Sequence, residues 1–198
     1  MTLLHDISPT LRGGSTPVLE TERLVLRAPR CEDVKQVAAL ANDRRIAENT
    51  LRLPHPYTIG DAQDWILAAN TRPGEETFLI ERDGDVIGAC GFDLRGGSDP
   101  EIGYWLGVPF WGQGYATEAV RALIDHAFEM RGHAALQSGA RVSNPASRHV
   151  LEKCGFQWTG VVLQRFNAIG TSAPCDRFRL DRTIWASLKA WRSAKPIS

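Results

Sequence analysis

Phe110-Trp111-Gly112-Gln113-Gly114-Tyr115-Ala116-Thr117-Glu118-Ala119 decides how this chain is read: a two-glycine loop that leaves one apolar segment and opens directly into a helical pattern. Before it, Glu101-Ile102-Gly103-Tyr104-Trp105-Leu106-Gly107-Val108 is rich in β-formers. After it, Ala116, Ala119, Val120, Leu123, Ile124, Ala127 and Phe128 recur at helical spacing. Strand, glycine turn and helix is the inferred order. Glycines let backbone approach a ligand with no Cβ in the way, and the first turn of a helix offers unpaired N–H groups at the positive end of its dipole, so the loop reads as an anion cradle. A Walker loop would end in Gly-Lys-Ser/Thr, whereas Gly114 is followed by Tyr115-Ala116. A dinucleotide fingerprint would put a third glycine where Thr117 stands. Taken alone, the loop is equally a tight strand-to-helix turn with no ligand.

Outward from the loop, Phe78-Leu79-Ile80-Glu81 and Val86 to Phe92 flank Arg82-Asp83-Gly84-Asp85, and an Asp-Gly between two β-type runs predicts a hairpin. Residues 101 to 108 supply the next strand of that meander. Upstream, Leu24 to Leu26 predict a first strand and Glu32-Asp33 open a helix through Val34, Val37, Ala38 and Leu40. A second helix runs from Asp61 to Asn70, with Trp65, Ile66 and Ala69 on its buried side, and stops at Pro73-Gly74. Downstream, a weak strand over 136–142 precedes Asn144 to Phe156, and strands near 158–166 and 175–180 follow. Trp185 and Trp191 stand on a final amphipathic helix, as interface or core.

The stretch from Asn144 to Phe156 is a short helix on local chemistry alone. Asn144 is a preferred N-cap, Pro145 suits the first helical position, Lys153 falls in the last turn, and Gly155 with Phe156 packing back on Leu151 makes a Schellman stop. The expected order, βααβββαβαββ, describes one mixed α/β domain over residues 18–198 around a twisted, largely antiparallel sheet. Residues 1–17 read as a loose, turn-rich tail.

Composition excludes more than it identifies. The chain has 198 residues with 23 Lys+Arg against 23 Asp+Glu, a formal net charge of zero, so neither a basic stripe nor long-range attraction to nucleic acid is expected. Apolar runs fall short of the ~18 residues of a membrane span, and the first residues lack a signal-peptide pattern, so no membrane partner and a cytoplasmic location are expected. Cys31, Cys90, Cys154 and Cys175 lack paired metal-binding spacing and are read as reduced thiols. His126, His133 and His149 are single residues without zinc-site spacing, and no metal is expected.

Three runs together resemble the GNAT acetyltransferase superfamily: Glu101-Ile102-Gly103-Tyr104, Phe110 to Ala119, and Asn144-Pro145-Ala146-Ser147 through Phe156. Within it the chain is most similar to the RimJ and RimL ribosomal-protein N-terminal acetyltransferases. Thr21-Glu22-Arg23-Leu24-Val25-Leu26-Arg27 and Asp176-Arg177-Phe178-Arg179-Leu180 with Trp185 fit that branch, so the likeness spans about residues 18 to 190.

The resemblance implies the GNAT fold and an acetyl-CoA-dependent N-acetyltransferase that acetylates a primary amine, a protein N-terminus or a small molecule, by direct transfer in a ternary complex. It also implies a pyrophosphate cradle at Gly112, Gln113, Gly114 and Ala116, within a donor site of Leu106, Val108, Trp111, Gly112, Gln113, Gly114, Tyr115, Ala116, Thr117, Asn144 and Ser147. A bulge in the strand over 101–108 would splay it from its neighbour. Asn144 would bond the pantetheine arm, and Ser147 would hand a proton to the leaving thiolate.

Glu101 is the candidate base, acting through water; Tyr104 and Tyr115 are alternative proton donors or cleft packing, and Glu118 complements the helix N-terminus. Asn49, Arg52, His55 and Tyr57 are candidates for the acceptor cleft. Monomer and homodimer both stay open. The alternatives are a CoA-sensing module without catalysis and a transferase of another acyl group.

Overall fold

The computed structural model describes residues 16–94 and 99–194; the expected tail lies almost wholly outside them. The elements follow the local signals closely. β1 (Leu19–Glu20) and β2 (Val25–Arg27) lead through a 3₁₀ turn at Cys31–Asp33 into α1 (Val34–Ala41) and a one-turn α2 (Arg44–Ala47). α3 (Ile59–Thr71) starts on a capping box in which Thr58 and Asp61 satisfy each other's backbone N–H. Its buried residues are Ala62 and Ile66, whereas Trp65 and Ala69, expected to be buried, are half-exposed.

β3 (Glu75–Arg82) and β4 (Asp85–Asp93) form the expected hairpin, with positive φ at Asp83 (53°) and Gly84 (91°) as a two-residue primed turn requires. β5 (Glu101–Leu106), a 3₁₀ turn at Val108–Phe110 and α4 (Tyr115–Glu129) make the strand, loop and helix predicted around the glycines. β6 (Ala135–Arg141), α5 (Pro145–Lys153), β7 (Gln157–Phe166), β8 (Thr171–Asp181) and α6 (Arg182–Ala194) complete the chain. The additions to the expected elements are β1 and α2, and α6 is the final helix expected to carry Trp185 and Trp191.

The eight strands form one sheet in the order β1-β2-β3-β4-β5-β6-β8-β7. Every neighbouring pair is antiparallel except β5 and β6. α4, α5 and α6 pack on one face around Phe78, Leu123, Phe128 and Phe178, all close to fully buried. α1, α2 and α3 cover the other face around Val37, Ala47, Ala62 and Leu79. α5 ends as predicted, with Phe156 N–H donating to Leu151 O (3.1 Å) and Gly155 N–H to Glu152 O (3.0 Å). Trp185 belongs to the core, its indole N–H donating to Asp125 Oδ1 (2.6 Å), while Trp191 is exposed.

A buried ion pair fastens β2 to the start of α1. Arg27 donates to both oxygens of Asp33 (2.8 and 2.9 Å), and Arg30 N–H donates to the same carboxylate (2.7 Å). Burial alone would raise the Asp33 pKa, but these donors outweigh it and hold it below its ordinary 3.8. A carboxyl depressed in the folded state stabilises above its unfolded pKa, and that stability is lost as pH falls through the folded value. Urea midpoints should therefore hold from pH 7 down to about pH 5 and fall below about pH 4. Asp33→Asn should cost about 1–3 kcal/mol at pH 7 and flatten the acid decline; an unchanged decline would remove Asp33 as its source.

Candidate active site

The site is built where the one parallel pairing fails. β5 and β6 are in register only at Glu101–Gln137 and Ile102–Ser138, with Gln137 N–H bonded to Pro100 O (2.8 Å) and Ser138 Oγ to Ile102 O (2.9 Å). Beyond these the strands part. The register of β4 against β5 runs unbroken from Asp93–Glu101 to Gly88–Leu106, which corrects the expected bulge in the 101–108 strand. The irregularity lies one strand further away, at Ile80/Glu81 of the β3–β4 pair, leaving Ile87 as the extra residue. Ile87 O accepts the Gly107 N–H (2.8 Å), which turns the chain from β5 toward the glycine loop.

That loop forms an open cradle. Gly112 (φ 74°) and Gly114 (φ 84°) occupy left-handed conformations, and a Cβ on Gly112 would meet no atom within 4 Å. Gly114 is the N-cap of α4, and no side chain caps the helix. Glu118 N–H is the first to bond back, to Gly114 O (3.1 Å), so Tyr115, Ala116 and Thr117 present N–H groups without intrahelical acceptors. The cradle is braced from behind. Arg23 donates to Gln113 O (3.1 Å), and Glu118 binds Thr21 Oγ1 (2.7 Å) and the Arg23 N–H (2.9 Å), a structural duty.

Tyr115 is buried, with the guanidinium carbons of Arg23 and Arg82 4.6 and 5.1 Å from its ring centre, so its phenol is no proton donor for the cleft. Trp111 donates its indole N–H to Leu106 O (2.8 Å), and Val108 O accepts the Trp111 N–H (3.2 Å). Both carbonyls of the expected donor site are thus engaged in shaping the turn.

Across the gap stands the start of α5. Asn144 Oδ1 accepts the Ser147 N–H (3.2 Å), capping the helix as predicted. The Ser147 hydroxyl lies 2.9 Å from the Tyr104 hydroxyl, which also donates to Ser147 O (3.0 Å). Tyr104 therefore joins β5 to α5 at the mouth of the splay, a contact not anticipated from the sequence. Burial pushes its phenol pKa well up, against the opposing pull of the Ser147 hydrogen bond, so it stays protonated.

On the α1–α3 face the splay opens into a cavity of ≈ 400 Å³. Its floor includes the small residues Ala89, Gly91, Gly103 and Gly139, and Trp65, Trp105, Phe92 and Phe166 line its sides. Asn49, Arg52 and Glu101 line it too, along with Ser147 and Tyr104. His55 and Tyr57 do not: His55 is exposed away from the cavity, and Tyr57 is core, with its backbone N–H on Asn42 Oδ1 (2.9 Å). Glu101 carries an ion pair to Arg177 (2.7 Å), and Asp93 one to Arg52 (2.5 Å).

Trp65, Asp93, Arg141, Phe166 and Cys175 line the cavity but were not marked by the sequence as site residues. Asp93 lies just past the strand expected over Val86 to Phe92, and nothing local marked that strand end as a cavity wall. Among the described residues no helix is long and apolar enough to cross a membrane.

A parallel pair that splays beside a glycine cradle and an uncapped helix start is the arrangement of an acyl-CoA transferase, and family comparison agrees. The acetyltransferase (GNAT) domain family matches residues 23–157, and the chain belongs to it. The protein described as uncharacterized N-acetyltransferase p20 of Bacillus licheniformis is 29% identical over 151 residues, covering 73% of this chain and 84% of that one. The ribosomal-protein-serine acetyltransferase of Escherichia coli K12 is 33% identical over 89 residues, covering 44% and 50%. Mycobacterium smegmatis RimJ, solved in complex with CoA-disulfide, superposes with a TM-score of 0.77 at 18% identity, covering 89% of this chain and 95% of that one. The Escherichia coli relative supports the RimJ/RimL-like branch that the motifs indicate.

Proposed function

We propose that this protein is an acetyl-CoA-dependent N-acetyltransferase that acetylates a primary amine, either a protein N-terminal α-amine or a small-molecule amine, by direct transfer in a ternary complex. The observation that carries the reading is the gap between β5 and β6, with a phosphate-type cradle outside it and the Tyr104–Ser147 hydroxyl pair at its mouth. The residues fit the donor: the N–H groups of Tyr115, Ala116 and Thr117 suit a pyrophosphate, and a Cβ at Gly103 would meet nothing within 4 Å, which leaves room for a narrow arm beside β5. Acetyl-CoA supplies a thioester acetyl group there.

This chain's part is mostly positioning, which can contribute on the order of 7–11 kcal/mol. Ser147 Oγ, held by Tyr104, keeps a proton available for the departing sulfur. Glu101 Oε1 is committed to Arg177, which leaves Oε2 to take the amine proton through a water. Direct transfer rather than an acyl-cysteine fits the thiols of the cavity. Cys90 and Cys175 are buried, and burial raises both pKa values, so neither is a ready nucleophile.

The founding test is turnover. With acetyl-CoA and an amine panel that includes N-terminal peptides, free thiol should appear and grow with amine concentration. CoA binding without thiol release on any amine would leave a CoA-binding module, and faster turnover with succinyl-CoA would reassign the acyl group. Gly114→Val should raise the Kd for CoA about 10- to 100-fold by calorimetry, because a β-branched residue resists positive φ and distorts the cradle; unchanged affinity would remove the cradle from donor binding. Glu101→Gln should slow kcat at pH 7 by about tenfold, with the deficit closing above pH ~8, where an N-terminal amine is already neutral. A deficit that does not depend on pH would assign Glu101 to structure alone.

A further inference from the structure

The charges on the cavity walls are nearly all answered from within the protein. Asp93 is paired with Arg52 (2.5 Å), Glu101 with Arg177 (2.7 Å) and Glu75 with Arg72 (3.7 Å). Asp64, on α3, is exposed. One cation stands apart. Arg141, the last residue of β6, lines the cavity and has no carboxylate within ion-pair distance among the described residues. One Nη1 donor goes to Glu48 O (3.0 Å), and the guanidinium carbon lies 5.7 Å from the centre of the Phe166 ring. A guanidinium has five donors in a planar fork, so most of its hydrogen-bonding capacity remains unspent. A half-buried cation beside an aromatic ring is partly stripped of water, which strengthens what it binds next.

Arg141 is also on the wrong side for the donor's phosphates. Its contacts belong to the loop after α2 and to the end of β7, whereas the cradle lies at the start of α4, whose side chains pack on the opposite face of the sheet. Those same elements line the cavity through Asn49 to Arg52 and Phe166. Asn167 N–H donates to Leu51 O (3.1 Å) and Asn167 Nδ2 to Arg52 O (3.0 Å), which clasps the β7–β8 turn to the segment that Arg141 holds at Glu48. An aromatic-sided cavity with one planar cation unpaired among the described residues suits a small molecule that carries a carboxylate.

We propose that the acceptor is a small amine bearing its own carboxylate, an amino acid or a compound of that kind, and that Arg141 binds this carboxylate while the amine faces the β5–β6 gap. The proposal rests on the acetyltransferase reading for the role of the amine, but the binding it claims is measurable without turnover. A protein N-terminus, whose first residue has exchanged its carboxylate for a peptide bond, is the poorer fit.

The test compares L-amino acids, β-alanine and γ-aminobutyrate with their carboxamides, and with N-terminal tetrapeptides, binding to the CoA-loaded protein by calorimetry. At least one free acid should bind on the order of ten- to a hundredfold tighter than its amide, the range expected for a charge-assisted pair. In Arg141→Met that ratio should fall to about one, and Arg141→Lys should restore part of it. Thermal melting of both variants separates this from loss of the Glu48 tie. Acids and amides that bind alike, a ratio that survives Arg141→Met, or tetrapeptides that bind best would each overturn the proposal. Failure of thiol release with every amine would instead overturn the parent reading, since the acid-over-amide binding ratio stands or falls without it.

Discussion

Ser147→Ala is expected to lower kcat by about 10²- to 10³-fold while CoA still binds. The hydroxyl it removes is the polar group set at the mouth of the β5–β6 gap, 2.9 Å from the Tyr104 hydroxyl. Charge develops on the departing sulfur in the transition state and a thiolate left unprotonated can attack again, so a positioned acid acts on that step and its loss falls on kcat. Tyr104→Phe should cost a comparable factor, because Tyr104 holds Ser147 at both its carbonyl and its hydroxyl and so aligns Ser147 Oγ. The double variant should be little worse than either single one, as expected for groups that act as a unit. Because burial raises the Tyr104 pKa above its ordinary 10, the neutral phenol should persist and kcat should show no alkaline decline below about pH 10. Steady-state kinetics on both single variants check this, and a loss of less than about threefold in each would remove the pair from catalysis.

Gly88→Ala is expected to be the most damaging single-methyl change to the fold. A Cβ at Gly88 would stand 2.2 Å from Trp105 O and 2.9 Å from Leu106 Cα, both backbone atoms of the neighbouring strand. No side chain can swing aside to relieve that contact. β4 and β5 must separate at the turn that leads into the cradle, at a cost of about 3 kcal/mol or more. The urea midpoint should drop with little change in slope, and CoA affinity should fall with it because the cradle is tethered there through Ile87 O. Gly103→Ala is the control: its Cβ would meet nothing within 4 Å, so stability should stay within about 0.5 kcal/mol while the narrowed gap slows turnover. Equal destabilisation by both changes would contradict this account of the sheet.

Much of the donor side was readable in advance, since its signals are local. The glycine loop, the Asp83-Gly84 hairpin and the Asn144 cap each involve residues a few positions apart, and each took its expected form. The acceptor side was not. His55 and Tyr57 looked as suitable as Asn49 and Arg52 in one proline-rich loop, yet packing sent Tyr57 into the core and left His55 outside the cavity. Trp65 was expected on the buried side of its helix and instead lines the cavity, because the sheet beneath it carries Ala89, Gly91 and Gly103 and leaves a space.

By itself, the sequence determined most of the order of elements, the glycine loop, the capped helix beyond it and, through the family motifs, the class of enzyme. Turn chemistry, capping and periodicity act between near neighbours and survive without knowledge of the fold. Tertiary structure alone decided which side chains meet: Tyr104 with Ser147 across 43 residues, Arg177 with Glu101 across 76, and Arg141 left without a carboxylate among the described residues. Those outcomes depend on where β5 and β6 part and on what the opposite helices cover. No local pattern encodes a gap between two strands or the cation left facing it.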